Sequence, residues 1–247
     1  MERVKIVIQY DGKNFSGFQV QPEKRTIQGE IEKVLEFLFK EKIKIYASGR
    51  TDAGVSAIGQ VAHFDVDKVD SIKALESSLN ALLPEDIAIT KAEIVDDSFD
   101  ARFSVKRKTY QYRFYVSKYT LPLFENIATR INDYADIKLM NDACAYMIGT
   151  FDFSSFVARK SGKTDFTRTI YESKIVEIGD GLFAFEVTGN GFLYNMVRIL
   201  FGTLVNVAYK KIKPEEIKNI IEVKNRAKAG KTMPSKALIL KKVDYDI

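Results

Sequence analysis

An aspartate and an arginine lie close together in a glycine-bracketed stretch, residues 48–55 of sequence SGRTDAGV. Glycine lacks a β-carbon, so Gly49 and Gly54 allow the backbone to turn sharply and to approach a ligand. Arg50 can then bind a phosphate or a base edge beside the acid, while Asp52 points at the bound molecule. Aspartate and glycine are also ordinary turn residues, so a carboxylate that only caps its own backbone is the alternative interpretation.

Few other side chains offer chemistry. The chain has one cysteine, Cys144, and one histidine, His63, so it lacks the usual zinc ligands. A Ser-His-Asp triad would need His63, whose position in a predicted strand favours a structural role. An aspartate can act as a nucleophile or as a general base, and a neighbouring cation keeps it ionised. This chemistry requires neither a metal nor another cofactor, and we predict none.

Two glycine-containing segments imitate nucleotide-binding motifs. Gly162-Lys163-Thr164 is similar to the end of a P-loop, but the earlier glycine of that motif would fall at Val157. Gly189-Asn190-Gly191 precedes a predicted helix as a dinucleotide fingerprint does, but Tyr194 replaces the third glycine. We therefore reject a P-loop, a nicotinamide site and a flavin site.

The segments around Asp52 alternate between strand and helix patterns. Apolar residues alternate from Arg3 to Tyr10, which predicts a half-buried strand. Thr26 can cap a helix whose apolar positions recur at helical spacing from Ile27 to Leu38. Further strands are predicted near residues 43–47, 60–66 and 87–94, with a helix before Pro84 that carries Ile72, Leu75, Leu79 and Leu82.

The second half shows a similar mixture of patterns. A clear strand is predicted over residues 109–116, and a helix around residues 137–148. Two alternating segments near 169–178 and 183–187 suit an antiparallel pair joined through Gly179-Asp180-Gly181. The rest is predicted as a helix over about 192–209, a helix with Pro214 in its first turn and a strand over 237–241.

These elements predict an α+β fold. We expect two strand-helix-strand halves that form antiparallel sheet with helices on its faces and a central cleft. A doubly wound parallel sheet is not expected, because its regular alternation of strands and helices is missing. The expected domains are residues 1–105, which carry Asp52, and residues 106–247, which complete the cleft. A charged segment near Ser104 to Lys108 joins them, and a groove between the halves could hold a ligand.

Charge and composition favour a polyanionic partner. The 247 residues carry a net charge of +5, and residues 210–242 hold eleven Lys or Arg against three Glu. Phosphate is a plausible partner for this run, with a solvated helical face as the alternative. A single cysteine suggests a reducing compartment, and the longest apolar stretch is interrupted by Arg198. We therefore expect a cytoplasmic location, no signal segment and no membrane span.

Several motifs, in order, resemble those of the tRNA pseudouridine synthase A family. The first half contains YDGKNFSGFQ at residues 10–19 with Gln21-Pro22, GRTDAGV at 49–55 and GQV at 59–61. The second half contains KRKTYQY at 106–112, FSSF at 153–156, RTI at 168–170 and GFLYNMVR at 191–198. Together the motifs span nearly the whole chain, so the resemblance is far more specific than a lone glycine pattern.

The resemblance implies an isomerase that converts uridine to pseudouridine at positions 38, 39 and 40 in the anticodon stem-loop of tRNA. The bond from ribose C1′ to uracil N1 breaks, and C1′ is rejoined to C5. Asp52 is then the catalytic nucleophile. Attack on C1′, addition to the uracil ring and a glycal route all stay open. The resemblance also implies a homodimer with tRNA lying across both chains.

The same resemblance implies roles for three further residues. Arg50 is similar to the family's arginine beside the nucleophile, which would help to hold the displaced nucleotide. Tyr110 resembles the tyrosine that contacts the target base, with a core aromatic as the alternative. Arg198 resembles the basic residue that pairs with the catalytic aspartate and lowers its pKa, with a snorkelling helix arginine as the alternative. The basic segments around 106–113, 159–168 and 210–242 are candidates for binding the RNA backbone.

Two departures from the family pattern concern fine substrate contacts. Ser56 stands where many relatives carry histidine, and Asn195 stands where histidine also occurs. Two other functions stay open on the sequence alone. One is a non-catalytic RNA-binding protein in which Asp52 only shapes a turn. The other is an aspartate-dependent hydrolase of a glycosidic bond, for which the motifs mark no second carboxylic acid.

Overall fold

The structure is a computed structural model that describes residues 1–158 and 165–245. Its strands are β1 (Glu2–Tyr10), β2 (Tyr46–Ala47), β3 (Ser56–Val66), β4 (Ile87–Val95), β5 (Arg107–Val116), β6 (Thr129–Ile131), β7 (Gly149–Asp152), β8 (Thr167–Gly179), β9 (Leu182–Gly189) and β10 (Leu238–Asp244). Its α-helices are α1 (Ile27–Phe39), α2 (Ile72–Leu82), α3 (Ile137–Cys144), α4 (Met196–Ala208) and α5 (Glu216–Glu222). The predicted α+β class is confirmed.

The chain divides into two compact units, which we call unit 1 (residues 1–106 and 239–247) and unit 2 (residues 107–238). In unit 1 the strands lie in the order β4-β1-β3-β10, and β2 also pairs with β3. The pairs β1–β3, β1–β4 and β2–β3 are antiparallel, whereas β10 pairs with β3 in parallel. The last strand of the chain therefore completes the sheet that the first residues begin.

Helices α1 and α2 cover the apolar side of unit 1. The Thr26 hydroxyl caps α1 by accepting the Gly29 N–H, as the sequence predicts. Alternate residues of β1 are completely buried, and so is one stripe of each helix, because the periods of 2 and 3.6 residues place these side chains on one face. The fully buried set includes Val4, Ile6, Ile8, Ile27, Ile31, Leu35 and Leu79.

Unit 2 has the strand order β5-β9-β8-β7, all antiparallel, and β6 adds to β5 in parallel. The predicted β8–β9 hairpin is confirmed, with positive φ at Gly179, Asp180 and Gly181. Helix α4 packs on β5 through Phe201, whose ring stacks on Tyr112 at 4.3 Å between centroids. This aromatic contact fixes the helix that carries Arg198.

Several boundaries differ from the predicted ones for identifiable reasons. The strand predicted at 43–47 is reduced to Tyr46–Ala47, because side chains of α1 bind the Ile45 backbone: Glu32 accepts its N–H and Gln28 donates to its carbonyl. The long helix begins at Met196 rather than 192, because Asn195 is in the left-handed region at φ +61°. The helix predicted at 137–148 ends at Cys144 and continues as a 3-10 turn over Ala145–Met147. Strands β6 and β7 were not predicted.

Candidate active site

Asp52 lies in the loop between β2 and β3, which we call the Asp52 loop (residues 48–55). The Val55 N–H donates to the Asp52 carbonyl at 3.1 Å, and Gly54 has φ +77°, which suits a residue without a β-carbon. The side chain of Asp52 is partly buried, and Thr51 before it is 6% exposed. The loop thus forms the sharp, glycine-assisted turn that the sequence indicates.

A buried glutamine of β3 holds the start of the Asp52 loop. Gln60 is completely buried, and its Oε1 accepts from the Ser48 hydroxyl at 2.6 Å. Its Nε2 donates to the Gly49 carbonyl at 3.0 Å. Farther along, the hydroxyls of Tyr10 and Thr51 are 2.7 Å apart. These bonds fix the backbone on both sides of Arg50, because a buried polar side chain keeps the partners that satisfy it.

Two glycines of the first motif pack directly against the Asp52 loop. A β-carbon at Gly12 would lie 2.1 Å from the Val55 carbonyl oxygen, and one at Gly17 would lie 2.8 Å from the Thr51 oxygen. The Phe18 N–H donates to that same Thr51 oxygen at 3.1 Å. The motif at residues 10–19 therefore accompanies GRTDAGV for a physical reason: it supplies the surface on which the acidic loop rests.

Ser56 connects the end of the loop to the same motif. Its hydroxyl accepts the Gly12 N–H at 3.0 Å and lies 3.5 Å from Asp11 Oδ1. A histidine at this position would have a larger side chain with different hydrogen-bonding geometry. The serine is therefore part of the support of the loop in this chain.

Arg50 differs from Asp52 in its surroundings. Its side chain is exposed, and within residues 1–158 and 165–245 it makes no hydrogen bond or ion pair, including none with Asp52. An exposed guanidinium beside a fixed loop is available to a phosphate or a base edge. This exposure suits the binding of substrate.

Tyr110 lies on β5 of unit 2, opposite Val187 of β9. Its ring is half-buried and meets Phe192 edge to face, with centroids 5.2 Å apart and an interplanar angle of 84°. Gly189 permits this packing, since a β-carbon there would lie 2.7 Å from the Thr169 oxygen and 3.3 Å from the Phe192 ring. Gly189, the first glycine of the segment that is similar to a dinucleotide motif, therefore allows close packing at the end of β9. Gly162-Lys163-Thr164 lies outside the described residues.

Arg198 is held by two hydrogen bonds at the start of α4. Its Nε donates to the Met233 carbonyl at 2.6 Å, and its Nη1 donates to Asn195 Oδ1 at 2.6 Å. Asn195 adopts φ +61°, a conformation that asparagine tolerates better than most residues. The Tyr112 hydroxyl donates to the neighbouring Pro234 carbonyl at 2.9 Å. The guanidinium is therefore partly buried and fixed in direction, unlike that of Arg50.

The remaining reactive groups are structural. His63 is 3% exposed, its Nδ1 accepts the Ala101 N–H at 3.1 Å, and burial lowers its pKa. Burial raises the pKa of the Cys144 thiol to about 12, so it stays protonated at neutral pH. In the described part of the chain, no group of three or more His, Cys, Asp or Glu side chains is arranged to hold a metal ion. None of the described helices is long and apolar enough to cross a membrane.

The structure places Asp52 and Arg50 on the same loop of unit 1, and it places Tyr110 and Arg198 in unit 2. The pairing of Arg198 with Asp52 stays a prediction. Sequence reasoning gave no role to Gln60 or Met233, and it connected Asn195 only with fine substrate contacts. Gln60 and Asn195 both lie inside the motifs. Their polar side chains between apolar neighbours are a signal that could have identified them as functional residues. Nothing local marks Met233, because it acts through its backbone carbonyl.

Comparison with known proteins gives the family of the chain. A family described as "tRNA pseudouridine synthase" matches residues 6–104 and 143–246, which include Asp52 and Arg198 but not Tyr110. The chain therefore belongs to the tRNA pseudouridine synthase family.

Individual relatives agree along the full length. The protein named tRNA pseudouridine synthase A of Anoxybacillus flavithermus is 47% identical over 247 residues, covering 100% of both chains. The protein of the same name from Bacillus subtilis is 47% identical and covers 99% of both. Among solved structures, the archaeal box H/ACA sRNP Nop10-Cbf5 complex aligns at 12% identity and a TM-score of 0.37, covering 82% of this chain and 43% of that one. That likeness is too low to support a structural argument.

Proposed function

We propose that this chain isomerises uridine to pseudouridine in tRNA, with Asp52 as the catalytic carboxylate. The observation that carries the proposal is full-length identity of 47% to a protein named tRNA pseudouridine synthase A, with Asp52 inside the matched family region. The geometry supports it, because the acid lies on a loop that buried side chains and closely packed glycines hold in place. Residues 1–105 supply Asp52 and Arg50, and residues 106–247 supply Tyr110, Arg198 and an RNA-binding surface.

The reaction exchanges one bond of C1′ for another. The C1′–N1 bond breaks, uracil turns, the C1′–C5 bond forms, and the proton lost from C5 is balanced by a proton gained at N1. The Asp52 carboxylate acts as a nucleophile at C1′, as a nucleophile toward the uracil ring, or as a base toward the 2′ proton on the glycal route. Each route requires an ionised carboxylate, so replacing Asp52 by asparagine removes all three.

The other site residues bind and orient the substrate. The exposed guanidinium of Arg50 holds the displaced nucleotide, and the ring of Tyr110 contacts the target base. Arg198 pairs with the Asp52 carboxylate and lowers its pKa, since a fixed cation favours the charged form of an acid. The fixed direction of Arg198 supports this role, because preorganised charge needs no rearrangement during the reaction.

The target uridines are those at positions 38, 39 and 40 of the anticodon stem-loop. A base within a stem must be unstacked at a cost of a few kcal/mol, which phosphate contacts and stacking offset. Residues 106–113, 159–168 and 210–242 are candidates for these contacts. Residues 159–164 of the second segment lie outside the described residues. The protein acts in the cytoplasm as a homodimer with tRNA across both chains, and it uses no cofactor.

The decisive experiment is incubation of the purified chain with an unmodified tRNA transcript, without added metal or nucleotide. Nucleoside chromatography measures pseudouridine, and site mapping gives its position. We expect pseudouridine from the wild type and none from Asp52→Asn, with tRNA binding and thermal stability of the variant unchanged. Asp180→Asn, an exposed aspartate at positive φ that asparagine tolerates, is the matched control and should keep full activity.

The outcomes separate the three functions. Tight, salt-sensitive tRNA binding without any pseudouridine would identify a non-catalytic RNA-binding protein. Release of free uracil would identify a glycosidic hydrolase. Normal pseudouridine formation by Asp52→Asn would contradict the role of Asp52 while leaving the isomerase activity in place.

A further inference from the structure

A groove runs along α4 of unit 2. We call it the α4 groove; Arg130, Asn206, Tyr209, Lys211, Lys231 and Met233 line it. Its volume is about 220 Å³. This is below the roughly 300–1,000 Å³ of pockets that enclose drug-sized ligands, so the groove suits a smaller group. Three of its lining residues are cationic, and none is acidic.

The cations of the groove form no ion pair with an acid among the described residues. Arg130 is fixed by donating from Nη1 to the Ser117 and Lys118 carbonyls at 3.0 and 3.1 Å. Within the described residues, neither Lys211 nor Lys231 forms an ion pair with an acid. The last carbonyls of α4 already accept backbone N–H groups, from Tyr209 through Lys211 and from Asp136. Cations are therefore not needed to cap the helix.

Aromatic side chains adjoin the cations. The Tyr209 ring lies 5.7 Å from the Lys211 ammonium and 4.9 Å from the Tyr134 ring. Tyr134 is 65% exposed. Exposed aromatic faces beside lysine and arginine are typical of sites for unpaired nucleic acid, where phosphates meet cations and bases stack. The nearby acid Asp136 is occupied, since it caps α3 and lies 3.6 Å from Lys210.

The groove also adjoins the anchor of Arg198. Met233, which lines it, is the residue whose carbonyl accepts from Arg198. Gly202 and Asn206, which line the groove, follow Arg198 on α4 by four and eight residues. At a rise of about 1.5 Å per residue, this part of the groove lies about 6 to 12 Å along the helix from Arg198.

We propose that the α4 groove binds a backbone phosphate of the RNA substrate. Arg130, Lys211 and Lys231 neutralise the phosphate, and Tyr134 offers a stacking face to a neighbouring base. The proposal rests on the proposed function for the identity of the RNA, and it names a place where that RNA is held outside the reacting nucleotide.

The test compares two double variants that each remove two positive charges. Lys211→Gln/Lys231→Gln changes the groove, and Lys42→Gln/Lys73→Gln changes exposed lysines of unit 1 that have no partner among the described residues. Fluorescence anisotropy gives the Kd for an unmodified tRNA transcript over a range of KCl concentrations. In the groove variant, the slope of log Kd against the logarithm of KCl concentration should be smaller by about 0.7 to 0.9. This is the amount expected for one lost phosphate contact. Its KM for tRNA should rise while kcat at saturating tRNA stays at the wild-type value.

Each contrary outcome overturns the phosphate site. An unchanged slope in the groove variant would do so, and so would an equal change in the control. A shift in sedimentation without a change in tRNA binding would identify the groove as a protein interface instead. Absence of tRNA binding by the wild type would contradict this inference and the proposed function together. A groove-dependent salt slope without pseudouridine formation would leave the phosphate site standing and contradict only the isomerase.

Discussion

The two units hold their candidate site residues in different ways. In unit 1 the Asp52 loop rests on backbone: glycines at 12 and 17 leave no room for a β-carbon against Val55 and Thr51. In unit 2 Arg198 is held by hydrogen bonds of its own side chain, to Asn195 and to the Met233 carbonyl. Close backbone contacts at two glycines thus support the loop of the acid, whereas hydrogen bonds of its own side chain hold the cation.

This difference determines how each part responds to substitution. A protein interior is packed to crystal-like density, so a backbone-to-backbone contact cannot absorb an added methyl group without moving the loop. A side-chain hydrogen bond can be deleted without moving the backbone, and its loss removes only orientation. We therefore expect substitutions at the supporting glycines of unit 1 to have all-or-none effects on activity, and substitutions at the partners of Arg198 in unit 2 to have graded effects.

The largest effect should come from Gly17→Ala. Gly17 has φ +98°, and its β-carbon would lie 2.8 Å from the Thr51 oxygen; Gly179 has φ +97° with nothing within 4 Å. Backbone strain of about 1–3 kcal/mol is common to both alanine variants. Only Gly17→Ala must also displace the backbone next to Asp52, so we expect at least a 100-fold loss of pseudouridine formation there and none in Gly179→Ala. Denaturation measures the shared strain, and single-turnover kinetics measures the loss.

Equal activity of the two alanine variants would mean that the Asp52 loop accommodates the methyl group. In that case unit 1 would be as tolerant as unit 2, and the contrast between backbone support and side-chain support would be lost.

A smaller, graded effect is expected from Asn195→Gly. Glycine accepts φ +61° without strain, so this variant removes the hydrogen bond to Arg198 while sparing the backbone. A hydrogen bond to a charged group contributes about 1.5–3 kcal/mol, which would lower kcat by roughly 10- to 100-fold. KM should change little, and the free energy of unfolding should fall by no more than about the same 1.5–3 kcal/mol. Asn195→Ala should show the same loss of kcat and, in addition, a loss of stability from the strained φ.

A loss of stability without any loss of kcat in Asn195→Gly would contradict the positioning role. A second variant, Asn195→His, tests whether the hydrogen bond to Arg198 can be made dependent on pH. If an imidazole accepts the same bond only when neutral, the activity of that variant should fall as pH drops through the histidine pKa, while the wild type shows no such change.

The sequence predicted elements with strong local patterns and missed those that depend on distant partners. The period of two residues in β1 and of 3.6 residues in α1 identified both elements, and Thr26 marked the start of α1. The shortened β2 could not be predicted, because the side chains that bind Ile45 lie on a helix thirteen or more residues earlier. The parallel pairing of β10 with β3 joins residues about 180 apart in sequence and has no local signature.

The candidate site shows the same limit. The family resemblance identified Asp52, Arg50, Tyr110 and Arg198 by motif, and their assigned roles stay predictions. What the motifs could not provide was the support: the contact of Gly12 with Val55, and the carbonyl of Met233, which is 35 residues from Arg198. Supporting contacts of this kind are set by tertiary packing rather than by residue type.

The smallest predicted effect concerns pH and applies to unit 1 alone, because the only histidine of the chain is His63. Burial lowers its pKa, so the folded protein keeps it neutral below the usual value of 6.5 while the unfolded chain takes up a proton. Stability should therefore fall as pH drops from about 6.5, by no more than about 1.4 kcal/mol per pH unit for one proton. The lowered pKa values of Asp65 and Asp100 affect stability only below about pH 4.

Hydrogen exchange, corrected for intrinsic rates, should show less protection of β3 at pH 5 than at pH 7 and unchanged protection of β9. His63→Gln should abolish the difference; an equal loss in both strands would show that the units do not respond independently to this protonation.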